Sequence, residues 1–410
     1  MKRLNKRIVL ISAVGVSIAI GFLYAWSVVS KGLINELGWT GKQASVPYTV
    51  YTVFMALGFF ASGRLQDRLG PRVCVTACAV MMGGSLVLCG LFTTPVIVML
   101  SFGVICGVGV GAGNAASLAP PLKWFPASKK GMVSGAVLAG IGFSAVLYSP
   151  LADFLTGAVG VSNAFLIFGA LAFAIIFPLS FNIHDPPPGY DREIGRVASS
   201  GEIARAEKAE TPVRQTEGRD ISSKEMLKTS GFWLMFAIFA FSSSSGLMII
   251  AHAAKIAQVQ AGWEGGFLLV IVLNLFNMAG RFLGGAISDK IGRLPTLRII
   301  LAVQALNMAL FGSYSAVFGM AAGIAAVGFC YGTVFAVMPT LTADLFGLLN
   351  FGSNYGTLYL AWGIGGIIGP MAGAVIYDAT FAYSAAYIIA GALSAVSLVL
   401  AFALRKAKAA

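Results

Sequence analysis

Charge is scarce in this chain: only 11% of its 410 residues are Asp, Glu, Lys or Arg, against roughly 25% in a soluble protein. That scarcity excludes an ordinary water-soluble fold, whose exterior must be largely polar. Histidine is rarer still, with only His184 and His252. The five cysteines, Cys74, Cys78, Cys89, Cys106 and Cys330, all fall inside apolar runs without metal-ligand spacing. They read as small buried residues, and neither a disulfide framework nor a metal site is expected. No glycine-rich phosphate loop occurs, which argues against work driven by ATP. No acid/base pair or metal cluster lies within an apolar run, so no enzyme chemistry and no cofactor are expected.

What is abundant is apolar surface. Hydrophobic residues make up 58% of the sequence and the mean hydropathy is +0.84, so the solvent for most of the exterior is lipid. A hydrocarbon core of ~30 Å needs about 20 apolar residues per helix. Runs of that kind fall at 8–29, 44–62, 72–92, 96–118, 131–153 and 163–181, then at 231–252, 266–287, 296–314, 317–338, 353–376 and 382–404. The expected fold is therefore an all-α membrane protein with twelve spans in two six-helix, pseudo-symmetric bundles, 1–181 and 229–410. The 50 glycines suit helices whose backbones approach closely.

The formal charge of +12 does not point to nucleic acid, because the basic residues gather between the hydrophobic runs. Of 28 Lys and Arg, only Lys31, Lys42 and Lys255 fall in odd-numbered connections, and Arg281 lies mid-span. The other 24 lie at the termini, in even-numbered connections or on the run ends beside them, so both termini are expected to be cytoplasmic. The long polar segment, 182–228, lacks the apolar content to fold alone and reads as a flexible connector. Its end, Ser222-Ser223-Lys224-Glu225, has the form of a capping box that opens a short helix.

An internal repeat is the most specific pattern. Gly63-x-x-x-Asp67-Arg68-x-Gly70 follows the second run, and Gly285-x-x-x-Asp289-Lys290-x-Gly292-Arg293 follows the eighth, 222 positions later. The glycines permit tight turns. Each Asp is placed to meet a neighbouring helix N-terminus or an Arg, forming a latch that breaks when the halves rock.

Arg281 demands an explanation by itself. A charge at membrane depth costs about 2.5–3.5 kcal/mol on insertion scales and marks a functional site by default. A planar cation facing a watery cavity without a protein partner suits a carboxylate held by two parallel hydrogen bonds. Asn277 lies one turn before it on the same face and is placed to orient the guanidinium or to bind substrate oxygen. Tyr331 and Asn114 are further candidates to face a ligand, and Tyr24 and Val28, one turn apart, are candidates to line the first run. His252 ends the seventh run and is the only side chain there that titrates near neutrality, which makes it the candidate proton acceptor.

The twin motifs and the six-plus-six layout resemble the major facilitator superfamily over essentially the whole chain. Three stretches narrow the resemblance to its oxalate/formate exchanger and monocarboxylate transporter branch: Gly21-Phe22-Leu23-Tyr24-Ala25-Trp26, Lys123-Trp124-Phe125-Pro126 with Gly131, and Asn354-Tyr355-Gly356. The resemblance implies alternating access in a bacterial plasma membrane and proton-coupled uptake of L-lactate or a similar acid, with an eighth-span Arg as carboxylate anchor. Animal members carry Asp where this chain has Asn277, and Lys where it has Val28. The oxalate exchanger carries a second core Lys eight residues after its Asn-Tyr-Gly, where this chain has Trp362. One buried positive charge balances a monoanion, whereas a dianion requires two. The expected partners are therefore a small monocarboxylate, a proton and the lipid bilayer, with no nucleic acid and no obligatory protein partner. Anion exchange of the oxalate/formate type is the alternative. A transporter-like sensor would need a structured output domain, and 182–228 is too short and polar to be one.

Overall fold

The structure, a computed structural model, describes residues 5–187, 190, 220–263 and 266–407. The connector reading for 191–219 lies outside the described residues. Eleven helices among those described are long and apolar enough to cross a bilayer. One of them, Ala127–Ser180, is two spans in one: Gly160 breaks it with φ 80° and ψ 162°. Twelve spans result, six on each side of the connector.

The spans run past the apolar runs that announce them. The first reaches Lys6–Leu37 rather than 8–29, so Lys31 sits on its end and not in a loop. The second covers Gly41–Leu69 and the eleventh Phe351–Thr380. Polar ends extend these helices because capping supplies partners beyond the lipid core. Thr40 and Gln43 form a reciprocal capping box at the start of the second span. The box expected at Ser222 is present too, with Glu225 opening the short helix Ser223–Met226.

Three spans depart from α-helical geometry at depth. The first tightens to a 3-10 turn over Ile20–Ala25. The fourth carries a π-helical stretch over Met99–Cys106, and the eighth a π turn over Gly280–Gly284. Such breaks strand backbone carbonyls, which need other partners. In the first span Tyr148 donates to Ala19 O at 2.8 Å and Ser144 to Gly21 O at 3.3 Å, both from the fifth span. The Gly21–Trp26 stretch thereby becomes a rigid elbow. Phe22 packs among Phe102, Tyr148, Phe165 and Phe168, while Trp26 stacks on Phe102 at 4.3 Å and donates to Ala44 O.

The two halves meet through crossed pairs, the second span against the eleventh and the fifth against the eighth. Backbone approaches backbone there. A Cβ on Gly63 would overlap the Gly352 carbonyl oxygen, and one on Gly285 would overlap that of Gly131. All five cysteines are buried and free.

Both described ends of the connector are docked rather than loose. After the sixth span, Lys123 pairs with Asp185 at 2.7 Å and Trp124 donates to His184 O at 2.8 Å. Before the seventh, Asn354 donates to Ile221 O at 3.0 Å and Leu349 N donates to Asp220 at 3.0 Å.

Gly160 is the hinge of the outer turn between the fifth and sixth spans, where Glu36 accepts from Val161 N at 2.8 Å. Its backbone angles belong to a region open essentially to glycine alone, at about 1–3 kcal/mol for other residues. Gly160→Ala is expected to lower the thermal unfolding midpoint in detergent. An unchanged midpoint would mean that the turn tolerates a side chain.

Candidate functional site

Between the halves lies a cavity with an empty volume of about 550 Å³. Its wall forms where the spans are irregular: Ile20, Gly21 and Leu23 come from the 3-10 turn, and Arg281 from the π turn. A π turn adds a residue to the helical repeat and redirects the side chains it carries, a device common at functional sites.

Arg281 is only 4% exposed. The expectation that it lacks a protein partner needs correction, since its guanidinium is held on three sides. Nε donates to Asn277 Oδ1 at 3.0 Å, and Nη1 donates to the Leu138 carbonyl of the fifth span at 2.8 Å. The Phe335 ring lies 5.0 Å beneath the cation. The reason is the cost of burying a charge: hydrogen bonds and a π face must replace its water. None of these partners carries a negative charge, and no Asp, Glu or Lys lines the cavity among the described residues. The hydrogen bonds to Asn277 and Leu138 leave the second terminal nitrogen of the fork available to an anion.

Other sequence candidates divide. Asn277 orients Arg281 as described. Tyr331, Trp362 and Asn114 join Arg281 in the cavity wall. Trp362 donates its indole N–H to the Tyr331 hydroxyl at 2.8 Å, fixing both rings. Val28 is not in the wall and is partly buried against the apolar core. The Tyr24 side chain lies outside the described residues. His252 also stands outside the wall, its Nε2 3.0 Å from Pro370 O and its ring near Tyr383. A carbonyl only accepts, so that nitrogen carries the proton. Sequence reasoning missed Leu138, Phe335, Tyr51 and Tyr359. Leu138 acts through its carbonyl, which no residue type announces, and aromatics in apolar helices face lipid as often as a cavity. Tyr359, one turn after Asn354-Tyr355-Gly356, stacks on Phe59 at 4.0 Å across the halves.

The twin motifs form crossed caps on the face that carries most of the basic residues. Asp67 accepts from Ser353 N at 2.7 Å, the first turn of the eleventh span. Asp289 accepts from Gly131 N at 2.8 Å and Met132 N at 2.7 Å, the first turn of the fifth. Asp67 and Asp289 are 222 positions apart, and so are Gly131 and Ser353. Each half therefore uses the same carboxylate on the same helix start of the other half, where the helix dipole favours negative charge. Gly70 and Gly292 turn the chain beyond each Asp at φ 87° and 97°. The caps differ in strength. Arg293 bonds Asp289, reaches Ala127 O at 3.0 Å and lies 3.4 Å from Asp344. Arg68 is exposed, and Arg72 turns away to cover the Phe181 ring.

Sequence comparison places the chain among known proteins. The Major Facilitator Superfamily profile matches residues 8–313. The oxalate:formate antiporter of Oxalobacter formigenes is 28% identical, the match covering 93% of this chain and 87% of the antiporter. The uncharacterized transporter YhjX of Escherichia coli is 29% identical over 87% of this chain and 85% of its own. Human monocarboxylate transporter 14 is 24% identical over 72% and 69% respectively. A double-tryptophan variant of XylE superposes with a TM-score of 0.77 at 16% identity, covering 96% of this chain and 94% of that one, which shows a shared fold.

Charge-assisted caps are worth about 1.5–3 kcal/mol per hydrogen bond, so the doubly bonded Asp289 should hold its pair of spans more firmly than Asp67. Spin labels on the exposed pair 129 and 290 would read the first gate, and labels on 68 and 349 the second. Asp289→Ala is expected to lengthen and broaden the 129–290 distance more than Asp67→Ala does the 68–349 distance. Unchanged distances in both variants would deny the caps any gating role.

Proposed function

The chain belongs to the major facilitator superfamily, and from that premise we propose that it carries a small monocarboxylate such as L-lactate across a bacterial plasma membrane by proton symport. The observation that carries this reading is the single cation in the cavity wall, Arg281, which has no carboxylate beside it among the described residues. One buried positive charge matches one carboxylate. A bidentate approach suits the guanidinium fork, and Asn277 keeps that fork oriented. The names of relatives, an oxalate:formate antiporter and a monocarboxylate transporter, support a small organic anion as cargo.

The direction follows from charge. The face with the crossed caps and most of the Lys and Arg is the cytoplasmic one by the positive-inside rule, and both termini lie there with 182–228 as the connector. Closing that face and opening the other alternates access to the cavity between the halves.

The Arg281 guanidinium is the cation that the carboxylate meets in the cavity wall. The bound anion neutralises Arg281 locally, and a proton held on the substrate or on a nearby group makes the overall step electroneutral. His252, tied to Pro370 outside the wall, is then a bystander. Exchange of one anion for another is the competing reading, favoured by the antiporter relative.

Labelled lactate uptake into proteoliposomes decides between these readings. Wild-type uptake is expected to rise as external pH falls below internal pH and to drop with a protonophore. Arg281→Ala should weaken binding roughly a hundredfold, the loss of two charge-assisted hydrogen bonds. Arg281→Lys should lose most activity as well, since a point charge does not reproduce the fork. His252→Ala should leave the pH profile unchanged, and a flattened profile would return the proton to that histidine. Accumulation that ignores the pH gradient but requires a preloaded anion would replace symport with exchange. Near-normal uptake by Arg281→Ala would remove Arg281 from the substrate site.

A further inference from the structure

We propose that Asn114 reads a hydroxyl group on the transported acid, so that the site selects hydroxymonocarboxylates over their deoxy analogues. The proposal rests on the monocarboxylate reading above and adds the second point of recognition.

Asn114 sits in the fourth span, within the helix Gly107–Trp124, and is 4% exposed. It lines the same cavity as Arg281 but from the opposite half. Its Oδ1 is buried and has no hydrogen-bond partner. An amide oxygen removed from water without a partner is costly, and buried polar groups are satisfied almost everywhere in folded proteins. A role in bonding one span to another would satisfy that oxygen, and it is not satisfied. Val110 and Met55, which line the cavity with it from the fourth and second spans, carry no donor. The indole N–H of Trp362 is already given to Tyr331.

The backbone that carries the side chain is held in place. Gly109, Gly111 and Gly113 press the fourth span against Met81, the second-span backbone and Cys78, so the helix has no room to roll. Ser117 donates to the carbonyls of Gly113 and Asn114 at 2.7 and 3.2 Å and fixes the turn that carries the amide. The result is an orphaned acceptor on a residue that lines the same cavity as Arg281, and rotation of the amide about its own side-chain bonds brings that acceptor to a ligand. A ligand that presents both a carboxylate and an O–H donor satisfies both ends. A ligand with the carboxylate alone leaves Oδ1 as it is.

Lactate and propionate test this, because they differ only by the hydroxyl. Dissociation constants for both are measured by calorimetry on the full-length protein in detergent, for the wild type and for Asn114→Leu, which keeps the branching at Cγ and removes the polar atoms. The wild type is expected to hold lactate about tenfold more tightly, the worth of one hydrogen bond to a group otherwise unsatisfied. In Asn114→Leu the lactate/propionate ratio should fall to near one. The ratio is the readout, so a general loss of affinity does not mimic the effect, and Asn114→Ala gives the same ratio should the Leu variant misfold. A wild-type ratio of one, or a tenfold ratio that survives both substitutions, overturns the proposal. Binding of neither acid by folded wild-type protein overturns the monocarboxylate reading itself, and this proposal with it.

Discussion

Everything at the centre of this molecule is arranged around one uncompensated positive charge. Burying a cation without a counter-ion is among the least favourable things a membrane fold can do. Here Arg281 is buried against one carbonyl, one amide oxygen and one aromatic face, and none of them is ionised. Those partners lower the cost without cancelling the charge. The site therefore keeps a standing attraction for an anion that water alone would screen. Replacing Asn277 with an Asp would complete an ion pair inside the protein and weaken that attraction.

The partners of Arg281 also come from both halves. Asn277 and Phe335 belong to the second half, Leu138 to the first. A motion that separates the halves must break the bond to Leu138, leaving the guanidinium with more unsatisfied donors than before. An anion supplies acceptors at that moment. On the proposed reading, substrate and protein carbonyl would compete for the same donors, which would give the ligand the differential interaction with two states that any ligand-linked transition requires.

Much of this was legible in the sequence, and for identifiable reasons. Twelve apolar runs, an Arg inside one of them and a motif repeated 222 positions later are signals carried by residue identity. Asn277 was found from helical periodicity alone, one turn from Arg281. What stayed hidden depends on backbone rather than side chains. The Leu138 carbonyl, the 3-10 turn at Ile20–Ala25 and the π turn at Gly280–Gly284 leave no compositional mark. Val28 shows the converse case: helical spacing placed it one turn from Tyr24, but the 3-10 turn lies between them, and Val28 is partly buried against the apolar core and not in the cavity wall. The family-like stretches Lys123-Trp124 and Asn354-Tyr355-Gly356 gave no hint of a shared task, yet Lys123 and Trp124 hold the start of the connector and Asn354 its end.

The cavity and the gate turn out to be two ends of one helix contact. Along the eighth span, Arg281, Gly285 and Asp289 follow at intervals of four and form a stripe on one face. Along the fifth, Leu138, Gly135 and Gly131 meet that stripe in reverse order. Arg281 bonds the Leu138 carbonyl, and a Cβ on Gly135 would strike the Arg281 carbonyl. Gly285 abuts Gly131, and Asp289 caps the amides of Gly131 and Met132. With no side chains between the two backbones, the contact has little compliance, because packed interfaces switch between arrangements rather than stretch. On the proposed reading, a shift of Arg281 toward an anion would be transmitted along the stripe to the Asp289 cap, two turns away. The second pair of spans, through Gly63, Gly352 and Asp67, repeats the gate end of this arrangement but has no charge in the cavity. The pseudo-symmetry of the fold is thus broken at the caps and again in the cavity, where the described wall carries a charge from the second half alone.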